Sequence, residues 1–184
     1  MSAEQSIETA RLSIRSFRSG DWQDLHEYLS QPAVLEFEPG QPSDEAQCKE
    51  IAAERSHGSA FWAVCLKPGE KMIGHVYFSQ IEPEELMTWE FGYIFNPAFG
   101  GRGYATEACR ALLSLGFGEL GAHRVVAMCD PRNPPSWRLL ERLSMRREGH
   151  FRQMAFFRRT SDGKPLWHDA YQYALLESEW RDLE

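Results

Sequence analysis

Three stretches of this sequence carry residue types and spacings that could do chemistry. The first is Asn96-Pro97-Ala98-Phe99-Gly100-Gly101-Arg102-Gly103-Tyr104-Ala105-Thr106-Glu107-Ala108, in which three glycines run into what reads as a helix start. Glycines there let successive backbone N–H groups converge without Cβ obstruction. With the helix dipole those groups form an anion site suited to a phosphate-bearing cofactor. No Gly-Lys-Ser/Thr follows, so it is not a Walker A loop, and the GxGxxG spacing of a dinucleotide fold is absent. A plain strand-to-helix turn accounts for the same residues, and local spacing leaves both readings open. The second stretch is 87–96, where Met87, Trp89, Phe91, Tyr93 and Phe95 alternate with Thr88, Glu90, Gly92, Ile94 and Asn96. A carboxylate and a glycine thus share one strand face. The third begins at Asn133, a good N-cap, with Pro134 as first helical residue and Ser136 two further on, a hydroxyl at the positive end of a helix.

Other reactive residue types are scattered. Cys48, Cys65, Cys109 and Cys129 form no CxxC pair and read as small buried apolar residues. His26, His57, His75, His123, His150 and His168 lack ligand spacing such as HExxH, so no metal site is expected. His75 is kept as an alternative base should it face a cleft. The 184 residues fit one domain, 1–184. A net charge of −7 argues against a non-specific nucleic-acid binder and favours cationic partners. With no basic leader, and no apolar run long enough to span a bilayer, a cytoplasmic protein away from membranes is expected.

The elements that must position these stretches follow from periodicity and punctuation. A short strand around Leu12 and Ile14 precedes a helix carrying Trp22, Leu25, Tyr28 and Leu29 at i, i+3, i+4 spacing, ended by Gln31-Pro32. Residues 43–56 form a second, polar helix with Ser43 as N-cap. Strands 61–67 and 71–80 make a hairpin around Pro68-Gly69-Glu70, and 87–96 follows. Helix 103–117, strand 124–130, helix 133–143 and two strands, 148–158 and 166–177, joined by a Ser161-Asp162-Gly163-Lys164 turn, complete the chain. The result is mixed α/β, with adjacent hairpins that exclude a purely parallel doubly wound sheet.

Gly100 to Ala108 resembles the pyrophosphate-binding segment of GNAT-superfamily N-acetyltransferases, and Gly-Tyr-Ala-Thr-Glu-Ala is typical of the subgroup resembling RimJ and RimL, which acetylate ribosomal-protein amino termini. The likeness covers nearly the whole chain. Ile7-Glu8-Thr9-Ala10-Arg11-Leu12 is similar to the subgroup's opening strand, Asn133 and Ser136 to its Asn-x-x-Ser helix start, and 167–176 with Glu179-Trp180 to its closing strand. Gly100 stands where the superfamily loop often has Gln or Arg, Ser144-Met145 replaces Gly-Phe, and Leu140 fills the slot of a Tyr that many members use as acid toward the leaving thiolate.

The resemblance implies a mostly antiparallel twisted sheet with about four helices and two splayed central parallel strands, 87–96 and 124–130. Acetyl-CoA, the acetyl donor, lies between them, its pantetheine beside Tyr93, Ile94, Phe95 and Asn96 and its pyrophosphate on Gly100, Gly101, Arg102, Gly103, Tyr104, Ala105 and Thr106. Glu90 is the expected base, directly or through a water. Ser136 is the expected donor to sulfur, and Asn133 the cap that also meets pantetheine. The acceptor is an amine, a protein α-amino group or a small polyamine or antibiotic, attacked directly in a ternary complex, with specificity set by the first two helices and loop 81–86. An acetyl-CoA-binding regulatory domain without turnover is the competing class, and a homodimer stays open.

Overall fold

The computed structural model describes residues 6–183. Its strands are β1 (Ser6–Glu8), β2 (Leu12–Ser16), β3 (Phe61–Leu66), β4 (Met72–Gln80), β5 (Thr88–Phe95), β6 (Arg124–Cys129), β7 (Arg146–Arg159) and β8 (Pro165–Leu176). Its α-helices are α1 (Trp22–Leu29), α2 (Glu45–Ser56), α3 (Tyr104–Gly118), α4 (Pro134–Arg142) and α5 (Glu177–Arg181). The strands form one sheet in the order β1-β2-β3-β4-β5-β6-β8-β7. Every pairing is antiparallel except β5 with β6.

The mostly antiparallel sheet implied by the resemblance is therefore present, with one strand and one helix beyond the periodic elements. Residues 7–12 do not make a single strand: β1 and β2 form a hairpin turned at residues 9–11. Glu179 and Trp180 belong to α5 rather than a closing strand, and Glu179 accepts a hydrogen bond from Leu176 N. The cap of α2 is Asp44, not Ser43. Its carboxylate accepts from Gln47 N at 2.9 Å while Gln47 Oε1 accepts from Asp44 N at 2.9 Å, a reciprocal pair that Ser43 is one residue too early to make.

Two apolar layers sandwich the sheet. On one face α3, α4 and α5 bury Leu112, Leu113, Leu140 and Trp180 against Val64, Val76, Phe78 and Phe91. On the other, Leu25, Tyr28, Leu29, Cys48 and Ala52 of α1 and α2 cover Ala63, Cys65 and Met72. Each large side chain so buried contributes roughly 1.5–3 kcal/mol. His75 lies in this second layer, its Nδ1 2.7 Å from the Tyr28 hydroxyl, and burial together with the nearby Arg55 cation holds its pKa well below the usual imidazole range. It lines none of the cavities of the functional site and serves the core, so it is not an alternative base. Among the described residues no helix is long and apolar enough to cross a membrane.

Candidate active site

The parallel pairing of β5 with β6 runs only from Thr88 opposite Arg124 to Phe91 opposite Ala127. Beyond it the strands part, so the backbone groups of 92–95 that face β6 meet no strand, while those facing β4 stay bonded up to Phe95 opposite Gly74. Unpaired strand backbone is a template for an extended, amide-bearing ligand. The gap opens into a cleft of about 470 Å³ lined by Tyr93, Ile94, Phe95, Asn96, Asn133 and Ser136.

At one end the cleft shares Phe95, Gly100, Gly101, Ala105 and Arg142 with a second cavity of about 680 Å³, which adds Gly103, Tyr104, Thr106 and Arg110. Gly101 and Gly103 hold φ of 73° and 79°, a region where a Cβ is strained, and Gly103 caps the 15-residue α3 without a side chain. The first-turn amides of Tyr104, Ala105 and Thr106 have no intrahelical acceptor, because the first such bond runs from Glu107 N to Gly103 O. These N–H groups, the helix dipole and the guanidinium groups of Arg110 and Arg142 suit a pyrophosphate. The loop is pinned from outside: Glu107 accepts from Thr9 Oγ1 at 2.7 Å and Arg11 Nε at 2.7 Å, and Arg11 Nη1 donates to Arg102 O at 3.0 Å. The two sequence segments around Arg11 and Glu107 are thus parts of one clamp.

At its other end the cleft shares Phe37, Glu38 and Asn133 with a chamber of about 300 Å³. Four carboxylates line that chamber: Glu38, Glu90, Asp130 and Asp169. Asp130 is taken up by Arg132 and by His168 Nδ1 at 2.8 Å, and Asp169 by His150 at 2.9 Å and Gln153 N at 2.8 Å. Glu38 and Glu90 have no hydrogen-bonding or ion-pair partner among the described residues. Burial pushes the Glu38 carboxyl up to about 7. Cys129 also lines the chamber, and burial pushes its thiol up to about 12.

Between cleft and chamber stands the start of α4. Asn133 Oδ1 accepts from Ser136 N at 3.3 Å, the expected cap. The Tyr93 hydroxyl donates to Ser136 O at 2.9 Å and lies 3.0 Å from Ser136 Oγ, and burial holds its proton well above the ordinary phenol range. Leu140 is fully buried in the core and presents nothing to the cleft.

The family model described as acetyltransferase (GNAT) domain matches residues 11–146. The chain belongs to the GNAT acetyltransferase family. An uncharacterized N-acetyltransferase of Bacillus subtilis, YnaD, is 38% identical over 175 residues, 95% of this chain and 98% of that protein. The ribosomal protein uS5-alanine N-acetyltransferase of Escherichia coli is 27% identical across 96% of this chain and 86% of its own length. A GNAT-family acetyltransferase structure from Bacillus anthracis superposes with a TM-score of 0.86 at 35% identity, covering 95% of this chain and all of that one. The protein is an acetyl-CoA-dependent N-acetyltransferase of that family.

Of the residues expected at the GNAT site, Tyr93, Ile94, Phe95, Asn96, Gly100, Gly101, Gly103, Tyr104, Ala105, Thr106, Asn133 and Ser136 converge on the cleft and its glycine end, and Glu90 on the chamber. The Asn96 side chain is occupied, bonding Ala98 N at 3.0 Å and Glu27 at 3.2 Å. Arg102 lines neither cavity; Arg110 of α3 and Arg142 at the end of α4 supply the cations instead. Loop 81–86 lines no part of the chamber, whose walls come from the segment after α1, from β5, β6 and the start of α4, and from the β7–β8 hairpin. Trp167 is 48% exposed, so this closing-strand aromatic is not core. Glu38 is invisible to periodicity because it sits in an irregular segment, where it is one of two glutamates, Glu36 and Glu38, flanking Phe37.

Proposed function

We propose that this acetyltransferase acts on a primary amine presented as a protein α-amino group, by direct attack within a ternary complex. The observation that carries this reading is the continuity of the groove from the glycine-loop amides, through the splayed strands, to a chamber with two unpaired carboxylates. The donor's pyrophosphate would rest on 101–106 and its pantetheine amides on the unpaired backbone of 92–95. Acetyl-CoA supplies the thioester; this chain's residues orient the amine and move its protons. Glu90 draws the ammonium in and accepts the proton it must lose, directly or through a water. Ser136, held by Tyr93, hands a proton to the departing sulfur at the positive end of α4. A backbone N–H near Ile94 would steady the oxyanion. Direct attack is favoured over a cysteine-bound acyl group because Cys129, the thiol in the chamber, is held protonated.

The α-amino class is favoured by the likeness to the E. coli enzyme that acetylates alanine of uS5. The chamber is also lined by Met154 of β7, an exposed apolar side chain that a polypeptide next to the acceptor amine would cover. Mass spectrometry of peptides with free amino termini, spermidine and aminoglycosides incubated with protein and acetyl-CoA tests this. Acetylation at the peptide α-nitrogen is expected; acetylation confined to small polyamines would overturn it.

A further inference from the structure

Glu38 is the one carboxylate shared by the cofactor cleft and the acceptor chamber, and it has no partner among the described residues. Its position is fixed: Leu35, at the turn before it, is buried and its carbonyl accepts a hydrogen bond from Arg158 Nη2 at 2.7 Å, and Arg132 lies over the neighbouring Phe37 ring. We propose that Glu38 is a second acceptor-side catalytic carboxylate, placed where the new carbon–nitrogen bond forms, and that it removes the second of the two protons the acceptor nitrogen must lose. This rests on the amine-acetylation reading above.

An ammonium gives its first proton to Glu90 and becomes a neutral amine. The nitrogen lone pair then bonds to the acetyl carbon, and the nitrogen, now positively charged, gives its second proton to Glu38. The carbon–sulfur bond breaks with its electron pair on sulfur, which takes a proton from Ser136; Ser136 regains one from solvent while both glutamates release theirs. One acetyl transfer therefore liberates one proton net. Glu90 lies in the paired part of β5, opposite Val126, and lines only the chamber, whereas the strand gap in which the thioester must end begins beyond Phe91. Glu38 spans that boundary. Its carboxyl, raised to about 7 by burial, is matched to taking and releasing a proton near neutrality. The charged and titratable groups facing it are Glu90 and Tyr93 from β5, Cys129 from β6 and Asp130 just after it, His168 and Asp169 from β8 and Arg142 from α4.

The test is kcat against pH for wild type, Glu38→Gln, Glu38→Asp and Glu90→Gln, by free-thiol release with an alanine-initiated peptide, spermidine and benzylamine as acceptors. Wild type should lose rate on the acid side with a midpoint near 7. Glu38→Gln should lose about 10²-fold in kcat with unchanged acetyl-CoA affinity, lack that midpoint, and gain nothing at about pH 9. Glu38→Asp should regain part of the rate. Glu90→Gln should recover at about pH 9, where an α-amine of pKa about 8 is already neutral. Wild-type kcat and acid limb in Glu38→Gln, with the loss confined to Glu90→Gln, would overturn the proposal and leave the function standing. If no acceptor is acetylated, the carboxyl-carbon NMR titration of Glu38 decides: a midpoint near 7 that falls when an amine binds supports the role. A midpoint unmoved by all three amines overturns it.

Discussion

A single methyl group at Gly74, which lines no cavity itself, should loosen the cofactor cleft by pressing on two residues that do, Ile94 and Phe95. Gly74 in β4 pairs with Phe95 in β5, and a Cβ there would lie 2.5 Å from Phe95 Cδ1 and 2.7 Å from the Ile94 carbonyl oxygen. The ring can turn aside; the backbone carbonyl cannot. Moving that oxygen from 2.7 Å to ordinary contact at 3.4 Å requires about 0.7 Å of separation between β4 and β5 at Ile94–Phe95, the backbone edge expected to meet pantetheine. Overpacking of this kind costs about 1–3 kcal/mol, offset by roughly 0.4–1 kcal/mol from the stiffer unfolded chain. Gly74→Ala should therefore lose about 1–2 kcal/mol in urea unfolding, and its acetyl-CoA Kd by calorimetry should rise about tenfold, the equivalent of about 1.4 kcal/mol. Gly20, before α1 and outside the cavities of the site, is the control: a Cβ there would meet nothing within 4 Å, so Gly20→Ala should stay within about 1 kcal/mol of wild type with unchanged Kd. Equal behaviour of the two variants would refute a cleft built on the Ile94–Phe95 edge.

Tyr93→Phe removes a buried hydroxyl bonded to Ser136 and should cost about 1 kcal/mol of stability, with kcat falling and acetyl-CoA affinity kept in steady-state kinetics. Asn133→Ala deletes the cap of α4 and should cost about 1 kcal/mol in denaturant unfolding. The Glu38 carboxyl is raised above its ordinary 4.5, so wild type loses stability as pH rises from 4.5 through about 7 while Glu38→Gln does not. Scanning calorimetry at about pH 5 and about pH 8 should show the variant gaining on wild type only at the higher pH. Equal gaps at both would contradict a buried carboxyl there.

The periodic elements were legible because one residue type repeated enough to outvote the rest: the alternation of 87–96, the apolar stripe of α3 and the β-branched run of β6 all appear within a residue or two of their expected ends. Three-residue β1 and five-residue α5 are too short for any period to register, and are held by pairing with β2 and by the Glu179 cap. The glycine loop and the Asn133–Ser136 start were legible because φ > 0 and capping demand particular residue types locally. What could not be read was tertiary: the Tyr93 hydroxyl meets Ser136 across 43 positions of sequence, and Arg142 and Arg110 reach the glycine cavity from helix flanks. Glu38 acquires its raised pKa only from walls supplied by other elements. His75 shows the converse, since a strand histidine facing either way looks the same until α1 and α2 bury it.

In the proposed function one part of the groove binds the donor and another performs the proton chemistry. Glu90→Gln tests it most directly, with kcat from thiol release and acetyl-CoA Kd measured on the same preparation at neutral pH. A fall in kcat of about 10²-fold or more with Kd unchanged is predicted. Wild-type turnover in that variant, or a loss of rate matched by an equal loss of acetyl-CoA affinity, would contradict it.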